Sequence, residues 1–217
     1  MPLLDLLFPP RCGGCGRHGT AWCPACASAV EPIDVTLLDG VPLVAAGRLT
    51  GPLQRAIHTY KYGRRPRLAF ALVPPLVVAI RASAVSLTAV SCVPLHPQRL
   101  RERGFNQAAR LADELASRLA LPRVDGLQRI RSTPAQVGLS QAERRINLLD
   151  AFLWKAPSQP PDGLALVDDV CTTGATLAAA AAAVRQAGGS IAAFAVLARA
   201  QALPGPAVTF PGQSACP

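Results

Sequence analysis

Leu164-Ala-Leu-Val-Asp168-Asp169-Val-Cys-Thr172-Thr173-Gly174-Ala175-Thr176 is the stretch on which the fold turns. Four apolar residues suit a buried strand, two acids follow, and a Thr/Gly loop opens a helix over Ala175 to Ala187. Gly188-Gly189 stops that helix, and a second apolar strand runs from Ile191 to Leu197. Apolar strand, helix, apolar strand is the unit of a parallel sheet covered on both faces. Ligands of such sheets bind in the crevice at the carboxyl ends of the strands. Amides that open a helix lack helical partners and point at an anion. Thr172, Thr173 and Thr176 add hydroxyl donors, and Gly174 lets the backbone come close. Adjacent carboxylates ahead of the loop suit the vicinal hydroxyls of a sugar, or a Mg²⁺ held near them.

Working outward, Val41 to Arg48 reads as a short strand and Gly51 to Tyr62 as an amphipathic helix with Leu53, Ile57 and Tyr60 on one face. Gly63 to Pro66 is a cationic turn. Leu68 to Ala82 is apolar nearly all round, as a helix covering a sheet is, and Ser86 to Val93 has the character of a buried strand. Pro94-Leu95-His96-Pro97-Gln98-Arg99 is expected to be a loop, and Phe105 to Leu121 an amphipathic helix carrying Leu111, Leu115 and Leu119. These elements make an α/β domain over 39–200. The last residues, 201–217, hold four prolines and two glycines and are expected to be a disordered tail.

Residues 1–38 read as a separate small module. Cys12-x2-Cys15 and Cys23-x2-Cys26 are two CxxC pairs only seven residues apart, the spacing of a tetrahedral Zn²⁺ site built from two knuckles. Four thiolates close the coordination shell, so the metal is structural rather than catalytic. A double disulfide is the competing reading, disfavoured by a reducing compartment. Cys92, in an apolar run, and Cys216, in the tail, are expected to be incidental thiols.

The whole chain has 217 residues, half of them apolar and 16% charged, which excludes disorder through low hydrophobicity and provides for a sizeable core. Its longest apolar run, Leu68 to Ile80, is too short to span a bilayer and contains two prolines, so no membrane insertion is expected. The start, Met1 to Pro10, lacks the cationic and apolar regions of a secretory signal, which points to the cytoplasm. The net charge of +9 is unevenly placed. Between Gly40 and Arg110 only Glu102 opposes eleven cations. That stretch calls for an anionic partner, and composition leaves both nucleic acid and a small phosphorylated ligand open.

The Asp-Asp and Thr-Thr-Gly-x-Thr stretch resembles the phosphoribosyl pyrophosphate (PRPP) motif of the type I phosphoribosyltransferases. The resemblance implies that Asp168 and Asp169 are the catalytic-site acids, holding the ribose 2′- and 3′-hydroxyls. It also implies that Thr172, Thr173, Gly174, Ala175 and Thr176 cradle the 5′-phosphate. With the cysteine pairs, Tyr60-Lys61-Tyr62-Gly63, Val93-Pro94-Leu95-His96 and Arg103-Gly104-Phe105-Asn106-Gln107, the chain is similar to the ComF family, which includes proteins associated with DNA uptake. The implied architecture is a type I phosphoribosyltransferase-like parallel sheet flanked by helices, with a small N-terminal zinc module of four cysteines. The implied activity is transfer of phosphoribosyl from PRPP and Mg²⁺ to a nitrogen acceptor with release of pyrophosphate. By the same resemblance Arg99, Arg101, Arg103 and Lys61 face pyrophosphate, a solvated cationic face being the alternative. Arg131 to Gln136 with Arg144-Arg145 resembles a flexible catalytic lid, against the alternative of an exposed helix over Ser140 to Leu149. The rival function is a non-catalytic accessory protein that binds single-stranded DNA or DNA-uptake proteins, with few aromatics for base stacking.

Overall fold

The structure is a computed structural model in which residues 9–63, 65–131 and 151–200 are described. The expected lid beyond Arg131, the alternative helix over 140–149, Arg64 and the tail 201–217 lie outside the described residues.

Five strands form one sheet in the order β1-β2-β7-β6-β3. They are β1 (Thr36–Leu38), β2 (Val41–Arg48), β3 (Ala89–Cys92), β6 (Leu164–Cys171) and β7 (Ile191–Arg199). β1 runs antiparallel to β2 across the tight turn at Asp39-Gly40, and the other three pairings are parallel. A separate antiparallel pair joins β4 (Leu127–Arg129) to β5 (Phe152–Trp154). Apart from the short α1 (Pro24–Ser28) in the cysteine module, the helices are α2 (Gly51–Tyr62), α3 (Leu68–Ala82), α4 (Pro97–Arg103), α5 (Gln107–Leu119) and α6 (Ala175–Gln186).

The parallel sheet is buried on both faces, as its unbroken apolar strands require. On one face Leu53, Ile57 and Tyr60 of α2, Leu72 and Leu76 of α3, and Leu111 and Leu115 of α5 pack on Val44, Val90, Val167 and Leu197. On the other, Leu177 and Val184 of α6 and Phe152 and Trp154 of β5 pack on Leu43, Leu164, Leu166 and Phe194. The side chains of β6 divide between these faces by strand alternation.

α3 carries Pro74 and Pro75 in its interior. A proline at 74 has no N–H to give to the carbonyl of Phe70. Arg118 of α5 supplies the donor instead, at 3.3 Å, while its guanidinium stacks 4.8 Å over the Phe70 ring. The defect in one helix thus becomes the contact between two.

Two expectations change. The segment from Pro97 is a helix rather than a loop: a proline is well placed at a first helical position, and the His96 side chain caps it by accepting from the Gln98 amide at 3.3 Å. β6 runs four residues further than its apolar run, to Cys171, because pairing with β7 continues through Asp168↔Val196 to Cys171↔Arg199. Both acids therefore stand within the strand rather than after it.

Candidate functional site

The carboxyl ends of β3, β6, β7 and β2 open on the same edge of the sheet, since these strands are mutually parallel. After β6 the chain turns through Thr172 and Thr173 to Gly174, whose φ of 78° is the left-handed conformation glycine adopts at little cost. Close approach is a second reason for glycine there, because a Cβ would stand 2.5 Å from Leu38 of β1. α6 starts at Ala175 with no side chain capping its N-terminus from the N-cap position. The Thr173 hydroxyl accepts weakly from the Ala175 amide at 3.4 Å. A small cavity of about 30 Å³ lies here, walled by Asp168 and by the whole run from Val170 to Leu177. Amides, threonine hydroxyls and the positive end of a twelve-residue helix suit this cavity to an anion.

Adjacent residues of a strand point to opposite faces, so the two acids have different surroundings. Asp169 turns toward α2, where Lys61 Nζ lies 2.8 Å from its Oδ1, both side chains being largely buried. Asp168 accepts from the Asp169 amide at 2.8 Å. Burial, reinforced by the Asp169 charge, pushes the Asp168 carboxyl up to about 7, against the pull of that amide, Lys61 and Arg129.

Lys61, the partner of Asp169, also lines a second cavity of about 490 Å³ with Tyr62, Arg99, Glu102 and Arg103. Arg103 lies 5.4 Å over the Tyr62 ring and donates to Gln107 Oε1 at 3.1 Å. The structure thus brings together Lys61, Arg99, Arg103 and the two acids, and leaves Arg101 exposed on α4 outside this lining.

Arg129 was not singled out from sequence. It sits at the end of β4 with its guanidinium 5.4 Å over Phe152. Burial, with Arg99 nearby, lowers its pKa, and Asp168 raises it, so Arg129 lies within electrostatic reach of both. The strand pair that carries it is held by Trp154, whose indole lies where a Cβ on Gly126 would be, and which donates to Ser158 O at 2.8 Å. Burial and Asp168 raise the thiol of buried Cys171 to about 11, which disfavours its thiolate.

Cys12, Cys15, Cys23 and Cys26 converge, with all four sulfurs within 4.8 Å of one another. Cys15 and Cys23 are 3.7 Å apart, close to the ~3.8 Å edge of a thiolate tetrahedron with Zn–S bonds of ~2.3 Å. Burial opposes a thiolate at Cys12, yet amide donation from Cys23, Cys15 and Gly14 outweighs it and brings the group down to about 6. Burial and the neighbouring thiols push Cys26 upward. Four convergent thiols with one already poised as a thiolate fit a divalent zinc ion, and no fifth group from the described residues enters the cluster.

The arginines around α2 and α3 are mostly engaged within the fold. Arg48 pairs with Glu31 at 3.3 Å, Arg55 donates to Gly14 O at 2.6 Å, Arg65 to Arg11 O at 3.2 Å and Arg81 to Arg118 O at 3.3 Å. They face different partners on different elements, which is not the single exposed stripe that a nucleic-acid backbone needs.

Residues 3–37 match the family described as a double zinc ribbon domain. No curated protein sequence matches the chain. Among solved structures, the orotate phosphoribosyltransferase from Aeropyrum pernix is similar at 19% identity, over 80% of this chain and 77% of that one, with a TM-score of 0.39. At that score the likeness in shape is partial, and the chemistry of the site rests on its own residues. No described helix is long and apolar enough to cross a membrane.

Proposed function

We propose that the protein binds PRPP with Mg²⁺ and transfers its phosphoribosyl group to a nitrogen acceptor, releasing pyrophosphate. The supporting observation is two cavities suited to anions, each reached by one of the acids: the run Thr172–Thr176 with Asp168, and the cavity of Lys61, Arg99 and Arg103, whose Lys61 bonds Asp169. A sugar carrying a 5′-phosphate at one end and a pyrophosphate at the other needs both, with carboxylates between them for its hydroxyls. The same motifs lead us to propose membership of the ComF family. A DNA-binding role is less favoured, because the arginines around α2 and α3 already hold carbonyls and Glu31.

In this reading the cradle takes the 5′-phosphate, Asp168 and Asp169 hold the ribose hydroxyls, and Arg99 and Arg103 take up charge on the departing pyrophosphate. The acceptor nitrogen bonds to C1 as the C1–O bond to pyrophosphate breaks, through an oxocarbenium-like state of the kind met in glycoside cleavage. The electron pair of the broken bond leaves with pyrophosphate, and the acceptor loses a proton. Bound Mg²⁺ supplies further neutralisation of the pyrophosphate, and the two carboxylates are hard oxygen ligands suited to it.

The test is thermal denaturation with and without PRPP and Mg²⁺. A ligand at 100 times its Kd stabilises by about 2.7 kcal/mol, so the melting temperature rises, and Asp168→Ala with Asp169→Ala removes the rise. No rise in the parent protein at millimolar PRPP refutes the binding claim.

A further inference from the structure

We propose that the zinc knuckle positions Lys61 at the site, so that zinc occupancy sets the affinity of the site for its anionic ligand. The proposal rests on the PRPP reading for its ligand and on four contacts for its mechanism. α2 lies between the knuckle and the end of β6. Its residues 52, 55, 56 and 59, one stripe of the helix, face the first cysteine pair. Arg55 Nε donates to Gly14 O at 2.6 Å and the Thr59 hydroxyl to Gly13 O at 3.3 Å.

The packing beneath those bonds is as close as the chain permits. A Cβ on Gly13 would lie 3.4 Å from the Ala56 Cα and 2.9 Å from Leu68, and one on Gly14 would lie 3.0 Å from Pro52. Beyond the helix, Arg65 donates to Arg11 O at 3.2 Å. The peptides flanked by Cys12 and Cys15 therefore hold α2 along most of its length, and both carbonyls that receive its side chains lie between these two cysteines.

Lys61, in the last turn of the same helix, bonds Asp169 at 2.8 Å and also lines the cationic cavity. One ammonium thus has two tasks. It neutralises one of two adjacent acids, and it presents charge to the anion beyond. Lys61 acts on the sugar through Asp169, so it is a positioning residue there. When zinc leaves, the tetrahedron that shapes the Cys12–Cys15 turn is lost and the Gly13 and Gly14 carbonyls are no longer fixed. α2 loses its clips, and Lys61 loses its register on Asp169.

The experiment uses the full chain with three changes: zinc stripped by chelation, Arg55→Met, which cuts a clip but keeps all four cysteines, and Lys61→Met. Titration calorimetry with PRPP and Mg²⁺ is expected to show affinity falling at least tenfold for zinc-stripped protein and for Lys61→Met, and severalfold for Arg55→Met. Lys61→Arg should recover part of the loss, which a purely structural role would not produce. Zinc removal in the Lys61→Met background should add less than threefold, because both act through one contact. Independent multiplication of the two losses overturns the proposal, as does unchanged affinity after zinc removal. Hydrogen exchange provides the readout that needs no PRPP. On stripping, amides 57–63 should exchange faster while 164–167 in the sheet stay protected, and unchanged exchange at 57–63 also overturns the coupling. Failure of the zinc-loaded parent to bind PRPP refutes the proposed function instead, and exchange then decides the coupling alone.

Discussion

Replacing Asp168 with asparagine should stabilise the unliganded protein, and only above about pH 4. The Asp168 carboxyl titrates near 3.8 in an ordinary setting and near 7 in the fold, raised by burial and by the Asp169 charge. Between those values the folded state binds a proton that the unfolded chain has released, so stability conferred at low pH is lost as the pH rises. Each pH unit of that interval is worth about 1.4 kcal/mol, which sets a ceiling of about 4 kcal/mol by pH 7.5. The asparagine would keep an oxygen to accept from the Asp169 amide, now made at 2.8 Å, and would carry no charge. Thermal denaturation of both proteins from pH 4 to 8 should therefore show little difference at the acid end. The variant's advantage should then widen to about 1 kcal/mol or more above pH 7, several degrees in melting temperature for a chain of this size. A difference that is flat across the range, or that favours the parent at pH 8, refutes the reasoning. The same variant should bind PRPP more weakly, since the strain relieved in the free site is the charge that the ligand's hydroxyls and Mg²⁺ meet.

Gly174→Ala should lower the melting temperature and weaken PRPP binding, because the new methyl meets Leu38 at 2.5 Å in a backbone with φ of 78°. Calorimetry that finds parent-like affinity would show that the cradle is not where the phosphate sits. Tyr60→Phe removes a hydrogen bond of 2.9 Å from a fully buried hydroxyl to Gln107 O and should cost about 1 kcal/mol in urea denaturation, with the slope unchanged.

How much of this was legible in the sequence depends on the distance between partners. The bounds of α2, α3 and β2 follow from local periodicity, and the structure keeps them at the residues expected. The four cysteines lie within fifteen residues, so their convergence is likewise a local fact. Arg129 escaped notice because β4 and β5 are three residues each and lie far apart in the chain. Neither has an alternation long enough to register, and their pairing is backed by the packing of Phe152 and Trp154 against α6. Pro97 misled for a different reason. A proline after His96 fits a loop or a first helical turn equally well until the His96 side chain is seen to cap the Gln98 amide.

The acids show what spacing alone leaves open. As a motif Asp168 and Asp169 are a pair, and the sequence treats them alike. Strand geometry separates them, because neighbours in β6 face opposite sides of the sheet. Asp169 receives Lys61, from a helix held by the cysteine module and more than a hundred residues back in the chain. Asp168 is left with an amide, a distant share of Lys61 and Arg129, and a raised pKa. One acid is therefore held by an ion pair in the free protein, and the other carries a pKa raised to about 7. A ligand that brings its own cation alters the second far more than the first. Ligand affinity should then rise more steeply with pH through about 7 in the parent than in Asp168→Asn, the ionisation of the ligand's own phosphates being common to both, as measured by calorimetry in matched buffers. A pH dependence as steep in the variant as in the parent would assign the titrating group to another residue.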